Sequence, residues 1–263
     1  MSDLSFNNLE LKKKRPFWKE ALSFGFLIGG VWMGTHLVMN YGAYSQIFAF
    51  RYETMQASVI SDLETMQAEA KAAEALANYE PRLEKVRVKV PVKKVKPKLE
   101  AKKSRAVFEK MAIFPSDNRV VIPRIGKNVP LIDVPTHQNW KQLEDNIQDG
   151  LRNGVVVHPV SHDPGNFGNF FLTGHSSYYA WDPGRFKDVF ALLHEVIPGD
   201  IVEVYWEGKK YTYKMREKKV IEPTEVSVLN QPKDKHIMTM MTCTPVGTNK
   251  NRLILVGDLK SVE

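Results

Sequence analysis

Residues 21–50 contain no Asp, Glu, Lys or Arg, and a run of that length must be solvated by lipid or buried on every side. Wound as a helix at ~1.5 Å per residue, Ala21–Met39 alone is ~28 Å long, close to the ~30 Å hydrocarbon core of a bilayer. Trp18, Trp32, Tyr41 and Tyr44 lie toward its flanks, where aromatic rings favour the membrane interface. A buried core helix is the alternative, but the aromatic flanks favour a spanning segment. Lys12, Lys13, Lys14, Arg15 and Lys19 precede it, so the positive-inside rule keeps residues 1–20 in the cytoplasm and sends the rest outside, in a single pass. A cleaved signal peptide fits less well, because the apolar run exceeds the usual ~7–15 residues and no small-x-small site follows it.

Beyond the anchor and its exit, residues 51–106 read as a stalk. Residues 51–80 are rich in Ala, Glu, Met and Gln with no Pro or Gly, a helix-forming composition that Pro81 closes. Residues 81–105 mix Lys, Arg, Val and Pro without the apolar density a core needs. The formal net charge of +7 raises nucleic acid as a partner, and a basic run can grip phosphates. Without interleaved aromatics this run has no base-stacking platform, so it reads as a self-repelling spacer that can touch anionic lipid head groups. No nucleic acid partner is expected.

From residue 107 the texture changes to short β-branched runs punctuated by Gly, Pro, Asn and Asp, the pattern of an all-β barrel or sandwich. Candidate strands are Arg119–Ile122, 129–132, 154–158, 169–173, Ile201–Trp206, 210–217, 236–242 and 252–257. Two helices are expected, at 138–148, whose Trp140, Leu143 and Ile147 form a stripe able to cover a barrel opening, and at 186–193. The alternation in VEVYWEGKKYTYK predicts a hairpin turning at Glu207-Gly208.

The chain has one cysteine, Cys243, so no intramolecular disulfide can form, and its neighbours decide whether the thiol is reactive or incidental. It ends an apolar strand; a loop of residues 244–251 follows, and a second strand opens at Arg252. If the two strands pair antiparallel, Cys243 and Arg252 face each other within ~5.5 Å at Cα. A cation there favours the thiolate, and a guanidinium offers planar, permanent donors to a developing oxyanion. The competing reading is a buried cysteine and a surface arginine without a role. Thiolate chemistry also needs an acid and base, for which histidine is suited near neutral pH. Of seven histidines, His36, His137, His162, His194 and His236 occupy the apolar stretch, loops, a helix end and a strand start. His175 follows the apolar strand NFFLT and a glycine, so it emerges at a strand end as Cys243 does.

Phe171-Leu172-Thr173-Gly174-His175 resembles the histidine motif of the sortases, and Met240-Met241-Thr242-Cys243 resembles their cysteine motif with Met240 in place of its first Thr. Arg252-Leu253 matches their arginine strand. VVIPRIGKNVPLI, GVVVHPVSHDPGNFGNFFLTGH and PGDIVEVYWEGKKYTYK resemble further family segments, so the likeness covers residues 120–258. It implies a mainly β fold, a closed eight-stranded barrel with short helices, here preceded by a transmembrane helix and stalk. It also implies a cysteine transpeptidase that cleaves an LPxTG-like sorting signal near the C-terminus of a secreted protein. By that resemblance Cys243 attacks the Thr carbonyl, His175 carries protons to the leaving and from the incoming amine, and Arg252 steadies the oxyanion or holds the peptide. The acyl group passes to an amine of the cell envelope, a wall precursor or a pilin lysine. Thr242 and Thr244 are candidate substrate contacts and His158 an accessory polar group; no cofactor is implied, and no EF-hand-like ligand spacing calls for a metal.

The likeness has departures. Ser176-Ser177 follow the histidine where several subclasses carry a charge, and YYAWDPGRF is an insertion that can shape or cover the groove. Asp182-Pro183 comes after the histidine and continues with Gly184, unlike the lid motif of the pilin-assembling subclass, so no lid is inferred. The rival readings are a membrane-tethered thiol peptidase or hydrolase, which would use the same Cys and His with water, and a peptide-binding scaffold without catalysis. A papain-like order of Cys before His is absent, as is the Gly-preceded cysteine of L,D-transpeptidases.

Overall fold

The computed structural model describes residues 17–77 and 115–263. The basic cluster of residues 12–15, the stalk of residues 81–105 and the expected boundary at 106–107 lie outside the described residues.

The charge-free segment of residues 21–50 is divided between two helices, α1 (Phe17–Met39) and α2 (Tyr41–Ala77), with the expected spanning stretch in the first. The interruption is the single residue Asn40, whose backbone N–H and side-chain amide both donate to the His36 carbonyl, at 3.2 and 2.9 Å, while its own carbonyl accepts from the Tyr44 N–H at 3.1 Å. Ala21–Met39 is long and apolar enough to cross a membrane, and none of it is buried against the protein. That exposure sets the core-helix alternative aside and suggests a membrane anchor. Past it α2 meets the folded domain: Ala43 is buried and Ile47 and Phe50 pack against its core.

The domain is a closed barrel of eight strands: β1 (Arg119–Ile122), β2 (Lys127–Asp133), β3 (Val155–Val157), β4 (Gly168–Thr173), β5 (Ile201–Trp206), β6 (Lys209–Ile221), β7 (His236–Thr244) and β8 (Asn251–Val262). Around the barrel they run β1-β2-β3-β4-β7-β8-β6-β5. The β2–β3 and β4–β7 pairs are parallel and the other six antiparallel. Closure removes the exposed edges that an open sheet would have to protect.

Side-chain alternation fills the interior: Val120 and Ile122, Val155 and Val157, Phe170 and Leu172, Val202 and Val204, Met238 and Met240, Leu253 and Leu255 all belong to one buried cluster. Each pair is two residues apart, the period that sends successive side chains to opposite faces. The β5–β6 hairpin turns at Glu207 and Gly208, with φ of 49° and 75°. Two consecutive left-handed residues match the right-handed twist of the flanking strands.

Two helical expectations are corrected. The first helix, α3 (Trp140–Asn153), exists, but Trp140 is exposed and the helix does not cover a barrel opening. Ile147 and Leu151 join Ile132, Val134 and Val156 in a second cluster, whose β2 and β3 members alternate with core residues, so α3 lies on the outer wall. The second expected helix, 186–193, is a run of tight turns ending in a 3-10 helix at Leu193–Glu195. Ala191 donates to Asp188, Leu193 to Phe190 and Glu195 to Leu192, each an i to i−3 bond. Val189, Phe190, Ala191, Leu192 and Leu193 are all buried, so nothing selects the one-sided stripe that a surface α-helix presents.

Candidate active site

Register assembles the site. In β7–β8, Cys243 pairs directly with Arg252, and residues directly opposite in a sheet share a face. In β4–β7, Thr173 pairs with Met241; extending that parallel register by two residues brings His175 beside Cys243. The order β4-β7-β8 therefore brings His175, just past the end of β4, into line with Cys243 and Arg252. All three border one cleft of about 470 Å³.

Local bonds hold the row. The Gly174 N–H donates to the Met241 carbonyl at 3.2 Å, extending the ladder, and the Thr242 hydroxyl donates to the Gly174 carbonyl at 2.8 Å. A Cβ on Gly174 would lie 2.7 Å from the Phe190 ring, which accounts for a glycine before His175. The loop after β4 is tied to the loop after β7 by the Gly247 N–H, which donates to Ser177 Oγ at 2.9 Å. Arg252 Nη1 donates to the carbonyls of Asn249 and Asn251 at 3.0 and 3.2 Å, so the guanidinium is braced by its own loop.

His175 is held in its neutral form. Burial pushes its pKa down to about 4; the Asp182 carboxylate pulls weakly upward and Arg152 opposes it. Its Nε2 is buried and finds no hydrogen-bond partner among the described residues, and its ring stacks on Tyr178 at 4.3 Å. Asp182 and Arg152 form a 3.0 Å ion pair, and the Gly184 N–H, then Arg152, hold the Asp182 carboxyl below the usual range. A neutral imidazole accepts a proton, as a partner of a thiol must.

The remaining expected site residues are placed differently. Thr242 is buried and spends its hydroxyl on Gly174, so it is a strut between strands rather than an exposed substrate contact. Thr244 pairs with Asn251 at the hairpin mouth and precedes a cis peptide bond to Pro245. His158 does not border the cleft; its ring meets Phe171 edge-on at 5.5 Å, and burial lowers its pKa. Among the described residues no cluster of His, Cys, Asp or Glu is suited to hold a metal ion.

A family model described as the Sortase domain matches residues 120–260, more than half of the 263 residues. The chain belongs to the sortase family. It is 33% identical to sortase SrtE1 of Streptomyces coelicolor over 100 residues, covering 35% of this chain and 26% of that protein. The chain thus matches about a quarter of that relative's length. Among solved structures it is similar to sortase C1 of Streptococcus agalactiae, at 25% identity, TM-score 0.46, over 55% of this chain and 66% of that one. Sortase D5 of Clostridium perfringens is similar at 23% identity and TM-score 0.45, over 61% of this chain and 89% of that one.

The family match begins at residue 120, yet Met39 and Asn40 border the cleft with Cys243. No local pattern in the sequence announces that the end of an anchor helix joins a site built some two hundred residues later. Tyr178 and Tyr179, also at the cleft, belong to the aromatic insertion whose place in the groove the sequence left open.

Proposed function

We propose that this protein is a cysteine transpeptidase that cleaves an LPxTG-like sorting signal and transfers the acyl group to an amine of the cell envelope. The observation that carries this reading is that His175, two residues past β4, and the paired Cys243 and Arg252 of β7 and β8 border one cleft.

In this reading Cys243 Sγ attacks the scissile carbonyl carbon as its proton passes to neutral His175. Arg252 donates to the oxygen on which negative charge develops. The C–N bond breaks, the His175 proton leaves on the amine, and a thioester joins the acyl group to Cys243. An incoming amine then gives its proton to His175, forms the new amide and frees the thiol, splitting an amide exchange into two easier halves. The donors are secreted proteins with C-terminal sorting signals, and the acceptor is a wall precursor or pilin lysine. Residues 1–20 are cytoplasmic, residues 21–50 hold the anchor and its exit, residues 51–106 form the stalk, and residues 107–263 work outside the membrane.

The test incubates the full chain in detergent with sorting-signal peptides, with and without amine acceptors, and follows it by mass spectrometry. An acyl adduct on Cys243 that resolves to a ligated product supports the proposal. Unchanged peptide cleavage by Cys243→Ala would sink it, and an adduct resolved only by water would make the protein a hydrolase instead.

A further inference from the structure

We infer that the loop following His175 rests on the bilayer that α1 spans, with Tyr179 and Trp181 seated in the interfacial layer. The inference rests on reading α1 as a membrane anchor. The membrane-length window ends at Met39, so the residues around it mark the level at which hydrocarbon gives way to head groups. Val38 and Met39 share a cleft with Tyr178, Ala180 and Lys187. Gly42 lies close to the Asp188 side chain as well: a Cβ added there would be 2.6 Å from that carboxylate. The loop is therefore held at the height of the helix exit.

Its composition suits that height. His175 stacks on Tyr178, Tyr178 tilts against Tyr179 at 5.0 Å, and Tyr179 stacks on Trp181 at 4.9 Å. This ladder leads from the cleft to rings that are 54% exposed at Tyr179 and 70% at Trp181. Tyr41, one residue past the helix break, is 72% exposed too. Tyrosine and tryptophan gather where an apolar body can meet acyl chains while a polar edge stays wet, whereas contiguous exposed aromatics on a soluble face mark an interaction surface. The loop is shaped in advance, since Lys187 Nζ donates to the carbonyls of Ala180 and Asp182 at 3.0 and 2.8 Å. Because Tyr178 and Tyr179 also border the cleft of Cys243, the site then opens at head-group level, and acyl donors reach the sulfur along the membrane surface.

The test uses the full chain with Cys243→Ala, so that one introduced cysteine carries a nitroxide, in vesicles of phosphatidylcholine and phosphatidylglycerol. Labels at Tyr179→Cys, Leu27→Cys in α1 and Lys209→Cys are compared by collision with oxygen and with a water-soluble nickel chelate. Lys209 lies at the opposite end of β6 from Ile221, the partner of Arg252. The expected result is that the Tyr179 label loses most of the nickel collisions that the Lys209 label keeps, and that the Leu27 label loses nearly all. A Tyr179 label as wet as Lys209, beside a shielded Leu27, overturns the inference while leaving the anchor intact. A wet Leu27 label removes the anchor reading and the inference with it. Shielding of Tyr179 by soluble wall oligosaccharide but not by vesicles overturns it in favour of a sugar platform. Trp181→Cys gives the same readout should Tyr179→Cys fail to fold.

Discussion

The Thr242 hydroxyl donates to the Gly174 carbonyl at 2.8 Å across 68 residues of sequence, tying the residue before Cys243 to the residue before His175. The bond is buried, so removing its donor leaves a carbonyl unsatisfied at a cost of about 1–3 kcal/mol. Thr242→Val is expected to lower the melting temperature and slow peptide cleavage, because the spacing of sulfur and imidazole loosens. Thr242→Ser keeps the hydroxyl and should recover most of both. Equal melting and equal rates for the two variants would show that the bond does not set the row.

Arg252 sits directly opposite Cys243, with one guanidinium nitrogen committed to Asn249 and Asn251. If the guanidinium stabilises a developing oxyanion, its loss costs about 10²–10³ in kcat. Arg252→Ala should fall in that range with little change in stability, since the side chain is partly exposed. Arg252→Lys keeps the charge but not the planar fork and should recover only part of the rate. Steady-state kinetics on a sorting-signal peptide decides, and a Lys variant as fast as the parent would reduce the role to charge alone.

His175 makes stability depend on acid in a predictable direction. Its folded pKa of about 4 lies below the ordinary value near 6.5. Between those pH values the unfolded chain takes up a proton that the folded chain resists. The stabilisation is therefore complete above pH 6.5 and is lost as pH falls toward 4, by at most about 3 kcal/mol. His158 shifts in the same direction and adds to the trend. Thermal melting of the parent across this window should fall more steeply than that of His175→Asn, whose side chain does not titrate. Parallel curves would mean that the ring is not buried in its neutral form.

β1 and β5 were legible from the period-two alternation of a barrel wall, and β3 and β4, buried on both faces, as short apolar runs bounded by turn residues. Cys243 and Arg252 could be paired from sequence because a short loop joins their strands, which turns spacing into register. His175 was legible as a residue at a strand end, but its place beside Cys243 depends on β4 pairing in parallel with β7, which no local spacing encodes. The turns at 186–193 lack a helical signature because residues 189–193 are buried one after another, which leaves no periodic signal. Trp140 suggested a longer apolar stripe on α3 than packing uses, since a single large side chain can remain exposed at a helix start without much cost. Nothing in the sequence around Asn40 marks the one-residue interruption between α1 and α2.

The interruption at Asn40 leads to the last expectation, that the anchor junction governs access to Cys243. Met39 and Asn40 border its cleft, and Tyr44 donates to the Val246 carbonyl at 3.4 Å, in the loop that follows the cysteine. The junction also comes close to the barrel at Gly42, where an added Cβ would lie 2.6 Å from the Asp188 carboxylate. Gly42→Val should displace the start of α2 while leaving the core strands in place, because the bulk enters at the periphery of the barrel. Cys243 would then react faster with a maleimide in the intact, detergent-solubilised chain, and circular dichroism should remain that of the parent. Tyr44→Phe removes only the hydroxyl and should give a smaller increase. An alkylation rate unchanged by Gly42→Val would mean that the junction lines the cleft without narrowing the path to the sulfur.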